Sequence, residues 1–157
     1  MRSDILALAK ERGIMIATAE SCTAGMVAAA LTDLAGSSAM FECGFVTYTN
    51  AAKMQMLNVL ANTLDAHGAV SEQVAEQMAR GALANSEAQL AVSLTGIAGP
   101  GGSDHKPEGY VCFGIAGPNG YKTQTVEFGP LGRDKVRLAA RDHALSLLRD
   151  TLFYLPI

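Results

Sequence analysis

Ile14-Met15-Ile16-Ala17-Thr18-Ala19-Glu20-Ser21-Cys22-Thr23-Ala24-Gly25-Met26-Val27 is the stretch that decides the fold. Ile14–Ala17 is a short apolar run of the buried-strand type, and it ends at Thr18-Ala19-Glu20-Ser21. From Cys22 onward, Met26, Val27, Ala30, Leu31 and Leu34 recur at helical spacing, with Gly36 as the stop. The pattern therefore predicts a buried strand that delivers a serine onto a sharp loop just before a helix of small residues. Backbone N–H groups at such a helix start lack intrahelical partners and can face an anion or a developing oxyanion. The same placement also suits Ser21 or Thr23 as a plain helix cap, and this stretch alone does not choose between the two roles.

Outward from this unit the chain continues to alternate. Residues 3–12 carry Ile5, Leu8 and Ala9 on one helical face. Gly44–Tyr48 reads as a second strand leading into a short helix near Asn50, and Ser71 is an N-cap for a helix bearing Val74, Ala75, Met78, Ala82 and Leu83. Leu90–Leu94 is a third strand that runs into the glycine-rich Thr95–Gly102 loop. Two β-rich runs, 110–116 and 121–128, flank Pro118-Asn119-Gly120, a hairpin signal. A last helix spans about 133–152. Strands alternating with helices, then a late hairpin, predict a layered α/β domain with a mixed sheet.

Composition narrows the functional classes. The 157 residues fit one domain, 1–157, with 49% hydrophobic and 17% charged residues. A net charge of −3 supplies no basic face and argues against nucleic acid as the main partner. Cys22, Cys43 and Cys112 form no CxxC pair, and no secretory or membrane-spanning segment is recognisable. The expectation is a cytoplasmic protein with reduced thiols, no membrane partner and, on general grounds, a homo-oligomeric state, a dimer first.

A serine nucleophile needs a base. No Gly-x-Ser-x-Gly elbow is present. His67, His105 and His143 lie in unrelated contexts, without metal-ligand spacing to one another, to cysteine or to a carboxylate, so no metal site is expected. A lysine or a tyrosine remains, and Tyr48-Thr49-Asn50-Ala51-Ala52-Lys53 places both at a strand end entering a helix. A desolvated lysine can serve as a base, directly or through a tyrosine relay, whereas an exposed lysine and a half-buried tyrosine carry no chemistry. The Thr95–Gly102 loop permits close backbone approach to a ligand but lacks nucleotide-loop spacing, so it is equally a structural turn. Lys106-Pro107-Glu108-Gly109 leads from it into the hairpin as a mobile rim. Arg133 and Arg137, four apart on one helical face, can clamp a phosphate or form a solvated charged face.

Taken in order, these segments resemble the C-terminal domain family of CinA, the competence/damage-inducible protein. The carriers are Ala19–Gly25, Tyr48–Lys53, Thr95–Gly102, Lys106–Gly109 and the Arg133/Arg137 helix, from about Leu6 to Leu148. The resemblance implies a three-layer α/β/α sandwich with a mixed, mostly parallel five-stranded sheet and a late β-hairpin. It implies deamidation of nicotinamide mononucleotide (NMN) without a cofactor, in pyridine nucleotide recycling. Ser21 is then the nucleophile, with Tyr48 and Lys53 as its partners. Glu20, Cys22, Thr23, Thr95, Gly96, Gly99, Gly101 and one of Arg133 and Arg137 would bind substrate. Family members usually carry glycine where Ala24 stands, and Ser and Glu at Thr49 and Ala51. Two rivals remain: a non-catalytic nucleotide-binding or regulatory module, and a serine amidase acting on another small carboxamide.

Overall fold

The computed structural model describes residues 1–103 and 105–155, so Pro156 and Ile157, the end of the expected 1–157 unit, lie outside the described residues. The strands are β1 (Ile16–Glu20), β2 (Phe41–Val46), β3 (Leu90–Gly96), β4 (Tyr110–Gly117) and β5 (Gly120–Glu127). The α-helices are α1 (Arg2–Arg12), α2 (Met26–Thr32), α3 (Asn50–Leu57), α4 (Ala61–His67), α5 (Glu72–Ala84) and α6 (Arg133–Tyr154). The sheet order is β2-β1-β3-β4-β5. β1 pairs in parallel with β2 and β3, while β3–β4 and β4–β5 are antiparallel. Four strands thus share one direction and β4 alone is reversed.

Strand sequence explains the layers. β1 is buried along its whole length, so its alternation is one of side-chain size rather than polarity. Ile16, Leu90, Val92, Leu94, Val111 and Phe113 face α1, α2 and α6 in one large cluster. Ala17, Ala19 and Ala91 face α5 with Val74, Met78 and Leu57 in another. The small residues bring α5 close: a Cβ at Gly114 of β4 would lie 2.5 Å from Ala75 O, and only hydrogen fits there. Each fully buried large aliphatic side chain of this core contributes about 1.5–3 kcal/mol.

Several boundaries differ from the periodicity reading. β1 extends through Glu20, because neighbouring strands on both sides supply ladder partners that local apolarity does not report. β2 begins earlier and ends at Val46. α2 starts only at Met26 and ends at Thr32, so Leu34 lies beyond it and Gly36 precedes a 3-10 turn, Ser37–Ala39. α4 had no periodic signal long enough to predict it. Ser71 caps α5 as expected, its hydroxyl accepting from Val74 N–H at 3.2 Å.

From β1 the chain crosses to β2 on one side, then returns through α3, α4 and α5 to β3 on the other. Ligand crevices in open α/β sheets form at such a reversal, beyond the strands' carboxyl ends. Ser21 follows β1 immediately.

Candidate active site

Ser21 N–H donates to Leu94 O at 3.1 Å, extending the β1–β3 ladder by one rung. The chain then reverses: Ala24 N–H closes on Ser21 O at 3.1 Å, with Ala24 at φ 47° and Gly25 at φ 99°. Neither Ser21 nor Thr23 caps α2. Glu20 does so from inside the sheet, its Oε1 accepting from Val27 N–H at 2.9 Å and its Oε2 from Ala28 N–H at 3.1 Å. The Thr23 hydroxyl donates to the same carboxylate at 2.6 Å. A carboxylate on a helix's first free N–H groups meets the positive end of the helix dipole. Ser21 is thereby left out of the cap, and its hydroxyl has one hydrogen-bond partner among the described residues, Lys53 Nζ at 2.9 Å.

Lys53 comes from α3, whose N-cap Thr49 accepts from Ala52 N–H at 3.0 Å. The side chain is 1% exposed. Its ammonium donates to Thr47 O at 2.8 Å, Tyr48 O at 3.2 Å and Ser21 Oγ. No carboxylate forms a salt bridge with it among the described residues. Desolvation without a counter-charge lowers the lysine pKa to about 8, against a small opposing pull from Cys22. Burial pushes the Cys22 thiol up to about 11, opposed by a hydrogen bond from its own backbone N–H, helped by the Glu20 carboxylate and opposed again by the nearby Arg137 and Lys53 charges. It is a neutral, poorly nucleophilic neighbour at pH 7. The neutral Lys53 amine keeps two N–H donors for the two carbonyls and turns its lone pair toward the Ser21 hydroxyl.

Ser21 and Lys53 open into a cavity of about 330 Å³, walled by Cys22, Tyr48, Ala69, Val70, the Thr95–Ser103 segment and Arg133. That volume falls within the roughly 300–1,000 Å³ typical of small-ligand sites. The Thr95 hydroxyl donates to Ala69 O at 3.0 Å. Arg133 donates to Gly99 O at 2.7 Å and to the Tyr48 hydroxyl at 3.0 Å. A larger groove of about 620 Å³ between the β4–β5 hairpin and the end of α6 shares no residue with this cavity and holds no nucleophile–base pair.

The structure therefore brings Ser21, Cys22, Tyr48, Lys53, Thr95, Gly96, Gly99, Gly101 and Arg133 around one space. Glu20, Thr23 and Arg137, expected as substrate-binding residues, are not among the residues that line it. Glu20 turns inward to cap α2, and the Thr23 hydroxyl follows it by donating to its carboxylate. Arg137 donates to Cys22 O at 3.0 Å and Thr23 O at 3.4 Å, one helical turn beyond the cavity-lining Arg133. A tyrosine relay is also absent from the geometry. Lys53 meets Ser21 directly, while Tyr48, 57% exposed, directs its hydroxyl to Arg133 and gives Lys53 only its backbone carbonyl.

Glu108, expected only as part of a mobile rim, ties the walls together. Its carboxylate accepts from Gly101 N–H at 2.7 Å and Gly132 N–H at 2.8 Å, and it occupies the space a Cβ at Gly99 would need. Lys106 beside it donates to Val70 O and His67 O, holding the opposite wall. No spacing rule links these partners, which lie 7 to 39 residues apart.

A serine hydrogen-bonded to a buried lysine, at the carboxyl edge of a three-layer α/β/α sheet, defines a Ser–Lys site of the kind used for nucleophilic chemistry. Residues 1–152 match the family model of the CinA C-terminal domain, and the chain belongs to that family. It is 53% identical over 140 residues to the nicotinamide-nucleotide amidohydrolase PncC of Escherichia coli K12, covering 88% of this chain and 85% of that protein. It is 51% identical over 141 residues to a CinA-like protein of Mycolicibacterium vanbaalenii, covering 89% of this chain but 33% of that longer protein. Among solved structures, the competence damage-inducible protein A of Klebsiella pneumoniae superposes with a TM-score of 0.94 at 35% identity, covering 99% of this chain and 96% of the other. CihA of Agrobacterium tumefaciens gives 0.87 at 48% identity, covering 95% of each.

Proposed function

We propose that residues 1–157 form one amidohydrolase unit that deamidates NMN to nicotinate mononucleotide and ammonia through Ser21. The observation that carries the reading is the 2.9 Å contact between Ser21 Oγ and the buried Lys53 Nζ. The name of the Escherichia coli relative supports the substrate.

Neutral Lys53 takes the Ser21 proton as Oγ bonds to the carboxamide carbon, and the carbonyl becomes an oxyanion. Ser21 N–H is spent on Leu94 O, so the donors that remain beside it are the Cys22 and Thr23 N–H groups of the turn. Collapse breaks the C–N bond. The departing nitrogen takes the proton from Lys53 and leaves as ammonia. Water then attacks the acyl-Ser21 ester, giving its proton to Lys53, and release of the carboxylate returns that proton to Ser21. Arg133, with the Gly99–Gly101 backbone, supports binding of the 5′-phosphate, and Tyr48 offers an exposed ring beside it for the pyridinium. The paired Ser21 and Lys53 count against a binding module without turnover.

Purified protein should release ammonia from NMN with a chelator present, and Ser21→Ala should reduce release to background. Full activity in Ser21→Ala excludes the mechanism. Equal turnover of nicotinamide and NMN points instead to another small carboxamide.

A further inference from the structure

We propose that Arg137 is a positioning residue for the oxyanion site, holding the Cys22–Thr23 peptide so that its N–H faces the carbonyl under attack. This rests on the amidase reading above. Arg137 projects from α6 onto two consecutive backbone carbonyls, Cys22 O and Thr23 O, and forms no salt bridge among the described residues. In a trans peptide the C=O and N–H point in opposite directions. A guanidinium on Cys22 O therefore turns the Thr23 N–H away from α6. The closure of Ala24 N–H on Ser21 O likewise turns the Cys22 N–H outward from the turn.

The hydrogen bonds of this turn account for most of its other donors. Ser21 N–H goes to Leu94 O, Ala24 N–H to Ser21 O, Met26 N–H to Thr23 O, and the Val27 and Ala28 N–H groups to Glu20. Among the described residues, the Cys22, Thr23 and Gly25 N–H groups have no acceptor on any other residue, but Gly25 is partly exposed and the Cys22 N–H meets its own sulfur, which leaves Thr23. Thr23 is fully buried, and a buried donor left without a partner is costly enough to call for a reason. An oxyanion formed at Ser21 supplies one. Glu20 grips the start of α2 and the Thr23 hydroxyl, and Arg137 grips the turn by its carbonyls, so the Thr23 N–H is held before substrate arrives. A cation on the carbonyl oxygen also polarises the peptide and strengthens its N–H as a donor. Arg137 touches neither the cavity nor the substrate, so its effect falls on the step in which charge appears.

The test uses the full chain with Arg137→Met and Arg137→Lys, NMN as substrate, and a fluorophosphonate that phosphorylates Ser21 while placing an oxygen where the oxyanion forms. Arg137→Met is expected to lower kcat and the rate of Ser21 modification together, by about 10²-fold, as for loss of one oxyanion donor. KM for NMN stays within about twofold, and Arg137→Lys recovers part of the loss by returning a cation to the same carbonyls. Circular dichroism and Tm confirm folding, and if Arg137→Met does not fold the Lys variant alone carries the comparison. A loss confined to KM, or an unchanged rate of Ser21 modification, overturns the proposal. A wild-type chain that leaves NMN intact but reacts with the fluorophosphonate refutes the substrate, while the modification rates still judge Arg137. Inertness to both probes refutes both.

Discussion

Lys53 ties activity and stability to the same proton, and this gives the sharpest prediction. Its pKa is about 8 in the folded protein against 10.5 for an ordinary lysine, with burial as the main cause. At pH 7 only about a tenth of the molecules carry the neutral amine that can accept the Ser21 proton. kcat/KM should therefore rise tenfold per pH unit below about 8 and level off above it, a gain of roughly 90-fold between pH 6 and pH 9. Stability follows with a definite sign. Between pH 8 and 10.5 the unfolded chain holds a proton at Lys53 that the folded protein has released, so stability rises with pH across that window. The shift corresponds to about 3 kcal/mol, flat below pH 8 and above 10.5. Denaturant unfolding of wild type and Lys53→Met isolates this contribution, since the variant lacks the group. The wild-type advantage should grow by about that amount from pH 8 to 10.5, and Lys53→Met should be inactive throughout. A flat pH–rate profile from 6 to 9, or a stability difference that does not change with pH, refutes the reasoning.

Two further outcomes follow from the same geometry. Arg133→Met removes the guanidinium from the cavity wall and should raise KM for NMN about ten- to a hundredfold, the worth of a charge-assisted contact, with a much smaller change in kcat; steady-state kinetics check this, and an effect on kcat alone would contradict it. Ala24 is held at φ 47°, a conformation that costs an L residue about 1–2 kcal/mol, while glycine carries about 0.5–1 kcal/mol of extra chain entropy. Ala24→Gly should therefore stabilise the protein by about 0.5–1 kcal/mol, raising Tm by a few degrees in a scanning experiment, and a fall in Tm would show that Ala24 is not strained.

Sequence alone went far toward this site. The apolar runs around Ile16 and Val92, the helix of Val136, Ala140 and Ala144, and the Pro118-Asn119 turn gave the layers and the hairpin, because burial on strand and helix leaves a local period in the chain. The segments around Ser21, Lys53, Thr95 and Arg133 also stood out locally, as residues at the ends of those elements. The start of α2 did not, because its cap comes from Glu20 inside the preceding strand rather than from a residue at the helix start.

What tertiary structure alone decided was who meets whom. That Lys53 reaches Ser21 without Tyr48 depends on a 2.9 Å approach across 32 residues of chain, which no local period encodes. Arg133 and Arg137 are equivalent on a helical wheel, and only the packing of α6 beside the Ser21 turn sends one to the cavity and the other to the Cys22 and Thr23 carbonyls. Glu108 was invisible as an organiser because its partners, Gly101 and Gly132, are backbone groups whose identity leaves no side-chain signature. Residue types and periods determined the sheet and the chemistry available to it, whereas the depressed lysine pKa and the buried, unpaired Thr23 N–H arise from desolvation and pairing that exist only once the chain has closed around them.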